Sequence, residues 1–468
     1  ERQTDSFTVY VLPTPRAAQL KGSIAVFDSK GETGELLKRI GVEFQRVEPT
    51  ADLSAFDTLI VGKAALTLDG PAPDITRVRD GLKVVIFEQA GEVLEKRFGF
   101  RVAEYGLRQV FPRVPDHPAL AGVGAEHWRD WRGEANILPP RLKYELRPRY
   151  GPTVKWCDIP VTRPWRCGNR GNVASVLIEK PARGDFLPII DGGYSLQYGP
   201  LMEYREGRGM ILFCQMDVTG RTESDPAAET LTRNIVQYAS DWKPAPARTA
   251  VYAGDPAGKR HLEAAGFAVT SYDGGKLLDD QVLVVGPGGE KELNKERIAD
   301  WLNHGGTFLA IGLDQRAVNA TLSIPVSFKT AEHISAFFES ASINSVFRGI
   351  GPGDLHNRDP RELPFVSSGA TAIGDGILAT ANNGKIVFCQ IVPWQFDPTQ
   401  QSNLKRTYRR ASFVLTRVLA NLRVASASPI VARFHAPVEA ANSEKRWLNG
   451  LYLDQPEEWD DPYRFFRW

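Results

Sequence analysis

Cysteine is scarce in this chain. Four in 468 residues are too few and too widely spaced for disulfides to frame the fold, and the redox compartment cannot be read from them. An excess of charge of one sign is also missing. With 57 basic and 56 acidic side chains the formal net charge is +1, so no long-range field draws in nucleic acid or an anionic membrane surface, and neither is expected as a partner. Apolar runs are short, none approaching the roughly 20 residues of a bilayer-spanning helix. No glycine cluster has the spacing of a dinucleotide or phosphate loop. Gly192-Gly193 and Gly286-Pro-Gly-Gly289 read as turns, and no cofactor is expected. No basic-then-apolar leader follows Glu1. The alternation Ser6-Phe-Thr-Val-Tyr-Val-Leu12 reads as a strand left from an earlier domain, so the chain is expected to be a fragment of something larger.

What is present is repetition. Gly209-Met-Ile-Leu-Phe-Cys-Gln215 returns as Gly384-Lys-Ile-Val-Phe-Cys-Gln390, each an apolar run behind a glycine and ahead of a helical pattern. Earlier segments correspond as well. Ala25-Val-Phe27 matches Ala250-Val-Tyr252, Leu59-Ile-Val-Gly62 matches Leu283-Val-Val-Gly286, and Val84-Val-Ile-Phe87 matches Phe308-Leu-Ala-Ile311, at an offset of 225 or 224 (250 − 25; 283 − 59). Leu37 and Gly41 likewise match Leu262 and Gly266. The offset is 227 at Gly122 and Gly349 but 175 at the Gly209 strand, so the first copy carries an insertion of 52 residues (227 − 175), near 139–192. Continuous apolar strands alternating with helix-sized segments require a sheet covered on both faces. The expected fold is therefore α/β: two tandem flavodoxin-like domains with parallel sheets, over 23–243 and 248–424. Residues 1–22 would be the end of a sandwich plus a linker, and 425–468 an aromatic tail docked as an extended arm. Closing helices are expected over 225–242, with Asp225 as N-cap and Pro226 first in the helix, and over 403–422.

The insertion is dense in Arg, Pro and aromatic residues. Trp156, Trp165, Arg163, Arg166 and Arg170 form its candidate ligand surface, because flat rings stack on sugars and guanidinium forks bind carboxylates or sulfates. The same residues serve equally to pack the excursion on its own domain. Cys157 and Cys167, ten residues apart, read as free thiols, a disulfide or half a metal site; zinc would need two more ligands, and no metal is expected. His117 and His356 lie in comparable loops and read as structural or capping residues.

The order of elements resembles the class I glutamine-amidotransferase-like fold, whose active members set a Cys on the turn after the third strand, completed by a His and a Glu. The corresponding turns here are Phe87-Glu-Gln-Ala-Gly91 and Ile311-Gly-Leu-Asp-Gln315; neither has a Cys, and no His-Pro-Glu follows the last strand. Cys214 and Cys389 sit within strands as small core residues. Both copies thus read as catalytically silent. Glu88 and Asp314, at the elbows, are expected to be solvated or capping, with Glu88 as the alternative catalytic base or nucleophile. The stretch from Asp191 through Tyr194, Met202 and Glu203 to Gly209, with Phe213-Cys-Gln-Met-Asp217 after it, resembles accessory amidotransferase-like regions of large bacterial glycoside hydrolases of the β-galactosidase type. That resemblance implies a non-catalytic role in carbohydrate breakdown, scaffolding, oligomerising or rimming an active site. Its implied partners are an upstream catalytic domain or a second copy, with carbohydrate as the small-molecule partner, and its implied location is secreted or periplasmic. The alternatives are a hydrolase working through Glu88 and a freestanding glycan- or protein-binding module.

Overall fold

The computed structural model describes residues 4–6, 9–13, 15, 18–135, 145–147, 151–156, 159–162, 170–396, 399, 401–435 and 450–454, with the backbone alone between 145 and 162. Two mostly parallel mixed sheets, of 10 and 7 strands, make this an α/β protein. In the first sheet the parallel strands run in the order Gln45–Arg46, Ile24–Phe27, Thr58–Val61, Lys83–Ile86, Gly209–Cys214. The second repeats that order with Val269–Ser271, Thr249–Ala253, Gln281–Val285, Thr307–Ile311 and Ile386–Cys389. The central strands are buried on both faces, as their unbroken apolar sequences require. Matched glycines keep matched conformations. Gly41 and Gly266, just past the helices α1 (Glu32–Arg39) and α3 (Pro256–Ala264), have φ of 83° and 90°, and Gly122 and Gly349 have 76° and 82°.

Both sheets are mixed beyond these parallel strands. Beyond Gly209–Cys214 the first sheet continues antiparallel through Tyr198–Glu206, Ala174–Glu179 and Val102–Leu107, and beyond Ile386–Cys389 the second continues antiparallel through Leu378–Ala381 and Thr371–Ile373. Connection length is the reason. Only Gly207 and Arg208 separate Glu206 from its partner Gly209, and a two-residue turn joins antiparallel strands alone. Nor do the described residues of 6–12 pair as a strand; Val9, Tyr10 and Val11 stand exposed. A lone strand has no neighbour for its amides and carbonyls.

Each sheet is covered on both faces. α1 and α2 (Pro226–Asp241) cover one face of the first, through Leu36, Leu37, Leu231 and Ile235. α3 and the later α6 (Lys405–Asn421) cover one face of the second, and α4 (Lys295–Asn303) and α5 (Gln315–Thr321) the other. α2 begins as its sequence specifies, with the Asp225 carboxylate accepting from the amides of Ala227 (2.9 Å) and Ala228 (3.4 Å).

α6 holds the molecule together. Phe413, Val414, Leu415, Val418 and Leu419 belong to the core of the second copy. Its polar face meets the first copy: the Thr416 hydroxyl donates to the Ala182 carbonyl (2.9 Å) and Arg417 pairs with Asp185 (2.5 Å). A helix buried nearly all round is one that lies between two packed bodies.

The chain then returns to the first copy. Residues 425–468 were expected as an extended arm, but α7 (Ile430–His435) is helical, and it sets Ile430, Val431 and Phe434 into the first sheet's second core. Leu451 and Tyr452 join the same core. A short helix is the economical way to bury three apolar side chains of one turn while keeping the backbone amides bonded. At roughly 1.5–3 kcal/mol for each large apolar side chain buried, these five residues carry a substantial part of that core. Residues 436–449 and 455–468, with most of the tail's aromatics, lie outside the described residues.

Candidate functional site

The elbow after the third strand is where the fold would hold a reactive group. In the first copy it holds Glu88, which is neither solvated nor a helix cap. It is 0% exposed. One carboxyl oxygen accepts from the amides of Val218 (2.8 Å) and Thr219 (2.7 Å), the other from the Thr219 hydroxyl (2.9 Å). Burial first, and the nearby Asp217 second, push its carboxyl up to about 7, against the Thr219 donors that favour the anion. The expectation of a solvated carboxylate fails because the turn 215–219 folds over it, which nothing near residue 88 in the sequence foretells. In the second copy Gly312 occupies this place at φ 62°, and Asp314 caps α5 by accepting from the Ala317 amide (2.8 Å). Cys214 and Cys389 are buried in their strands, and burial holds both thiols neutral, Cys389 at about 12.

The first βα turn is the other position where such sheets take ligands, at the crevice beside the first strand, with helix amides available for an anion. In both copies the chain fills that position itself. Asp28 accepts from the amides of Gly31 (3.0 Å) and Gly34 (2.7 Å), and Asp255 from that of Gly258 (2.6 Å). A phosphate there would meet a carboxylate already in place. In the second copy the Tyr252 ring also lies along the crevice, its hydroxyl 2.0 Å from where a Cβ on Gly258 would stand.

The described charged side chains converge instead between the copies. Lys180 Nζ lies 3.1 Å from Asp191 in the first copy and 3.1 Å from both carboxylate oxygens of Asp354 in the second. Arg113 closes the group, its Nε 2.5 Å from Asp191, and Asp354 also accepts from the Gly351 amide (2.8 Å). Burial lifts the Asp191 carboxyl above its ordinary value, although Lys180 and Arg113 pull it down. A second cluster adds the returning tail. Arg409 of α6 pairs with Glu179 (2.9 Å) and Asp454 (2.7 Å), and Arg101 donates to the Asp454 carbonyl (2.7 Å) and carboxylate (3.1 Å). The Tyr452 hydroxyl donates to the Glu179 carbonyl (2.7 Å). Burial alone would raise Asp454; the two guanidiniums outweigh it and hold the carboxyl below its ordinary value. Charges taken out of water and matched in this way fix one relative placement of the bodies that carry them.

None of Lys180, Asp354, Arg409 and Asp454 was singled out from sequence. The available signal was charge inside an apolar pattern: Arg409, Arg410 and Arg417 interrupt a helix that is otherwise a core helix.

Of the insertion's candidate residues, Trp156 ends the strand Gly151–Trp156, while Arg163, Trp165, Arg166, Cys157 and Cys167 lie outside the described residues. Arg170 is exposed and pairs with Glu134 (2.9 Å), a contact worth little in water. His117 is buried and caps, its Nδ1 accepting from the Ala119 amide (3.2 Å) and its Nε2 3.5 Å from Glu203. His356 is half-buried, and its carbonyl accepts from Arg410 (3.3 Å). No group of three or more His, Cys, Asp or Glu arranged for a metal occurs among the described residues.

No protein-family model matches the chain, and no curated protein matches it at a significant level. Among solved structures it is similar to PurLQS from Thermotoga maritima, at 12% identity and a TM-score of 0.25 over 38% of this chain and 99% of that one. It is also similar to the cold-adapted β-galactosidase from Rahnella sp. R3, at 14% identity and a TM-score of 0.25 over 43% of this chain and 35% of that one. Likenesses at this level carry no residue correspondence.

Proposed function

We propose that this chain is a non-catalytic scaffold region of a carbohydrate-degrading protein, in which the two copies form one rigid body that carries the Arg- and aromatic-rich excursion. The observation that supports it is the Lys180 ammonium shared between Asp191 and Asp354, which ties the copies into a single unit. The state of the ligand positions agrees with it: Glu88 is enclosed and the helix termini at Asp28 and Asp255 are already capped. The assignment to carbohydrate breakdown rests on the resemblance of the stretch 191–217 to glycosidase accessory regions.

The test is an assay of the purified chain against a panel of aryl glycosides, alone and with an upstream catalytic region restored. The expected outcome is no turnover by the chain alone and a gain in stability or assembly of the catalytic region. Turnover by the chain alone that disappears in Glu88→Gln would replace the scaffold with a hydrolase. Glycan binding weakened by Trp165→Ala without unfolding would make it a binding module.

A further inference from the structure

α6 brings three buried arginines to the seam between the copies, and two of them are matched. Arg409 pairs with Glu179 and Asp454, and Arg417 with Asp185. Arg410 has no such carboxylate among the described residues. It is 4% exposed, its Nε has no hydrogen-bond partner there, and its Nη1 makes a single bond, to the His356 carbonyl at 3.3 Å. A guanidinium keeps its charge and its five N–H donors, so burying one without an anion is a cost that apolar packing does not offset.

The neighbouring acid does not relieve it. Both oxygens of Asp354 already accept from Lys180 at 3.1 Å, and one also takes the Gly351 amide. The other charged neighbours are positive. Arg406 stands one turn before Arg410 on the same face of α6, and the exposed Arg358 is held beside that helix by the bond from its amide to the Thr407 hydroxyl (3.1 Å). Burial first lowers the Arg410 guanidinium from its ordinary value; Asp354 opposes this, and Arg406 and Arg358 add to it.

The first copy closes the place from its own side. Its turn 194–196 lies against Gly353, with the Ser195 carbonyl 2.6 Å from where a Cβ on that glycine would stand. Ser195 and Leu196 are held at φ of 56° and 54°, a conformation costly for side-chain-bearing residues. Tyr194, 37% exposed, stands there with the Arg406 guanidinium over its ring, 5.3 Å from the centroid.

We propose that Arg410, with Arg358 and Tyr194 at its rim, binds the carboxylate or sulfate group of a small acidic ligand at the seam. An acidic sugar is the class that a guanidinium fork beside a tyrosine ring suits. The oxyanion takes the place that a carboxylate holds beside Arg409 and Arg417, accepting from donors of Arg410 that no described residue engages. Both copies line the site, so its ligand stabilises their docking. The inference is independent of the scaffold reading, which turnover tests and this binding does not.

Isothermal titration calorimetry of the full chain tests it, with sodium glucuronate, sodium sulfate and glucose as titrants at an ionic strength held constant with chloride. Glucuronate, sulfate or both should bind at one site per chain, and glucose should not. Tighter binding of glucuronate would mark a carboxylate ligand, and tighter binding of sulfate a sulfated one. Arg410→Gln should weaken the binding about tenfold or more. Arg358→Glu, an exposed change that sets an acid at the rim, should weaken it about threefold or more, and serves if the first variant does not fold. Arg316→Glu, the same change of charge on α5 at the opposite face of the second sheet, should leave it unaltered. Binding of neither anion, equal binding of glucose, affinity unchanged in Arg410→Gln or in Arg358→Glu, or an equal loss in Arg316→Glu would overturn the site.

Discussion

Lys180 of the first copy reaches Asp354 of the second at 3.1 Å, and both side chains are buried. Together with Asp191 they close a seam between the copies. A buried pair of this kind adds little net stability, but breaking it is expensive, because the remaining charge has neither water nor partner.

Lys180→Met should therefore destabilise the protein by about 3–5 kcal/mol, the range for removing one member of a buried pair. Calorimetry should show one cooperative transition for the wild type and a lower, split transition for the variant. A shift equivalent to less than about 1 kcal/mol would mean that the apolar contacts of α6 alone hold the copies together.

Asp454→Ala should release the returning tail. Arg101 and Arg409 would lose the carboxylate between them, at a cost of about 3 kcal/mol, and Leu451 and Tyr452 would leave the first core more readily. Limited proteolysis should cut near 450 sooner in the variant, and an unchanged rate would show that the apolar contacts suffice.

The duplicated glutamines should respond in opposite senses. Gln215 accepts from the Gln89 amide (2.9 Å) and donates to its carbonyl (3.0 Å), whereas the Gln390 carboxamide is buried with no hydrogen-bond partner among the described residues. Gln215→Leu should cost about 2 kcal/mol and Gln390→Leu should stabilise by about 1 kcal/mol, read from denaturation midpoints. Destabilisation by Gln390→Leu comparable to that of Gln215→Leu would show that the second carboxamide is satisfied.

Two buried groups should give opposing pH slopes. Burial holds His261 near 4, below its ordinary value, so the unfolded chain takes up a proton first and stability is lost as pH falls from about 6.5 toward 4. Glu88, at about 7, contributes stability that is complete below about 4.5 and lost as pH rises toward 7. Each span amounts to something on the order of 3 kcal/mol. Relative to the wild type, Glu88→Gln should tilt the stability curve upward with pH between about 4.5 and 6.5, and His261→Phe should tilt it downward. Parallel curves for the three proteins would refute both assignments.

Local chemistry was legible in the chain. Runs such as Val84-Val-Ile-Phe87 can only be strands buried on two faces, Asp225-Pro226 can only open a helix, and the repeat spacing carried the strand order of one sheet over to the other. The antiparallel extension was also written there, in the Gly207 turn and in Asn382-Asn-Gly384, where the residues at 382–384 all take positive φ. The elbow at Glu88 was locatable but its environment was not, because the turn that encloses it lies some 130 residues away.

Sequence alone settled the repeated buried strands and the capped helices, since propensity, capping and apolar spacing act over a few residues, but not α7, whose helix depends on the core it fills. Tertiary structure alone decided which charges meet. Lys180 finds Asp354 across 174 residues, and Arg101 finds Asp454 across 353. An ion pair leaves no periodic mark on the chain: its partners are chosen by where the sheets and α6 come to rest, and only that packing removes the water that would otherwise make the pairing almost worthless.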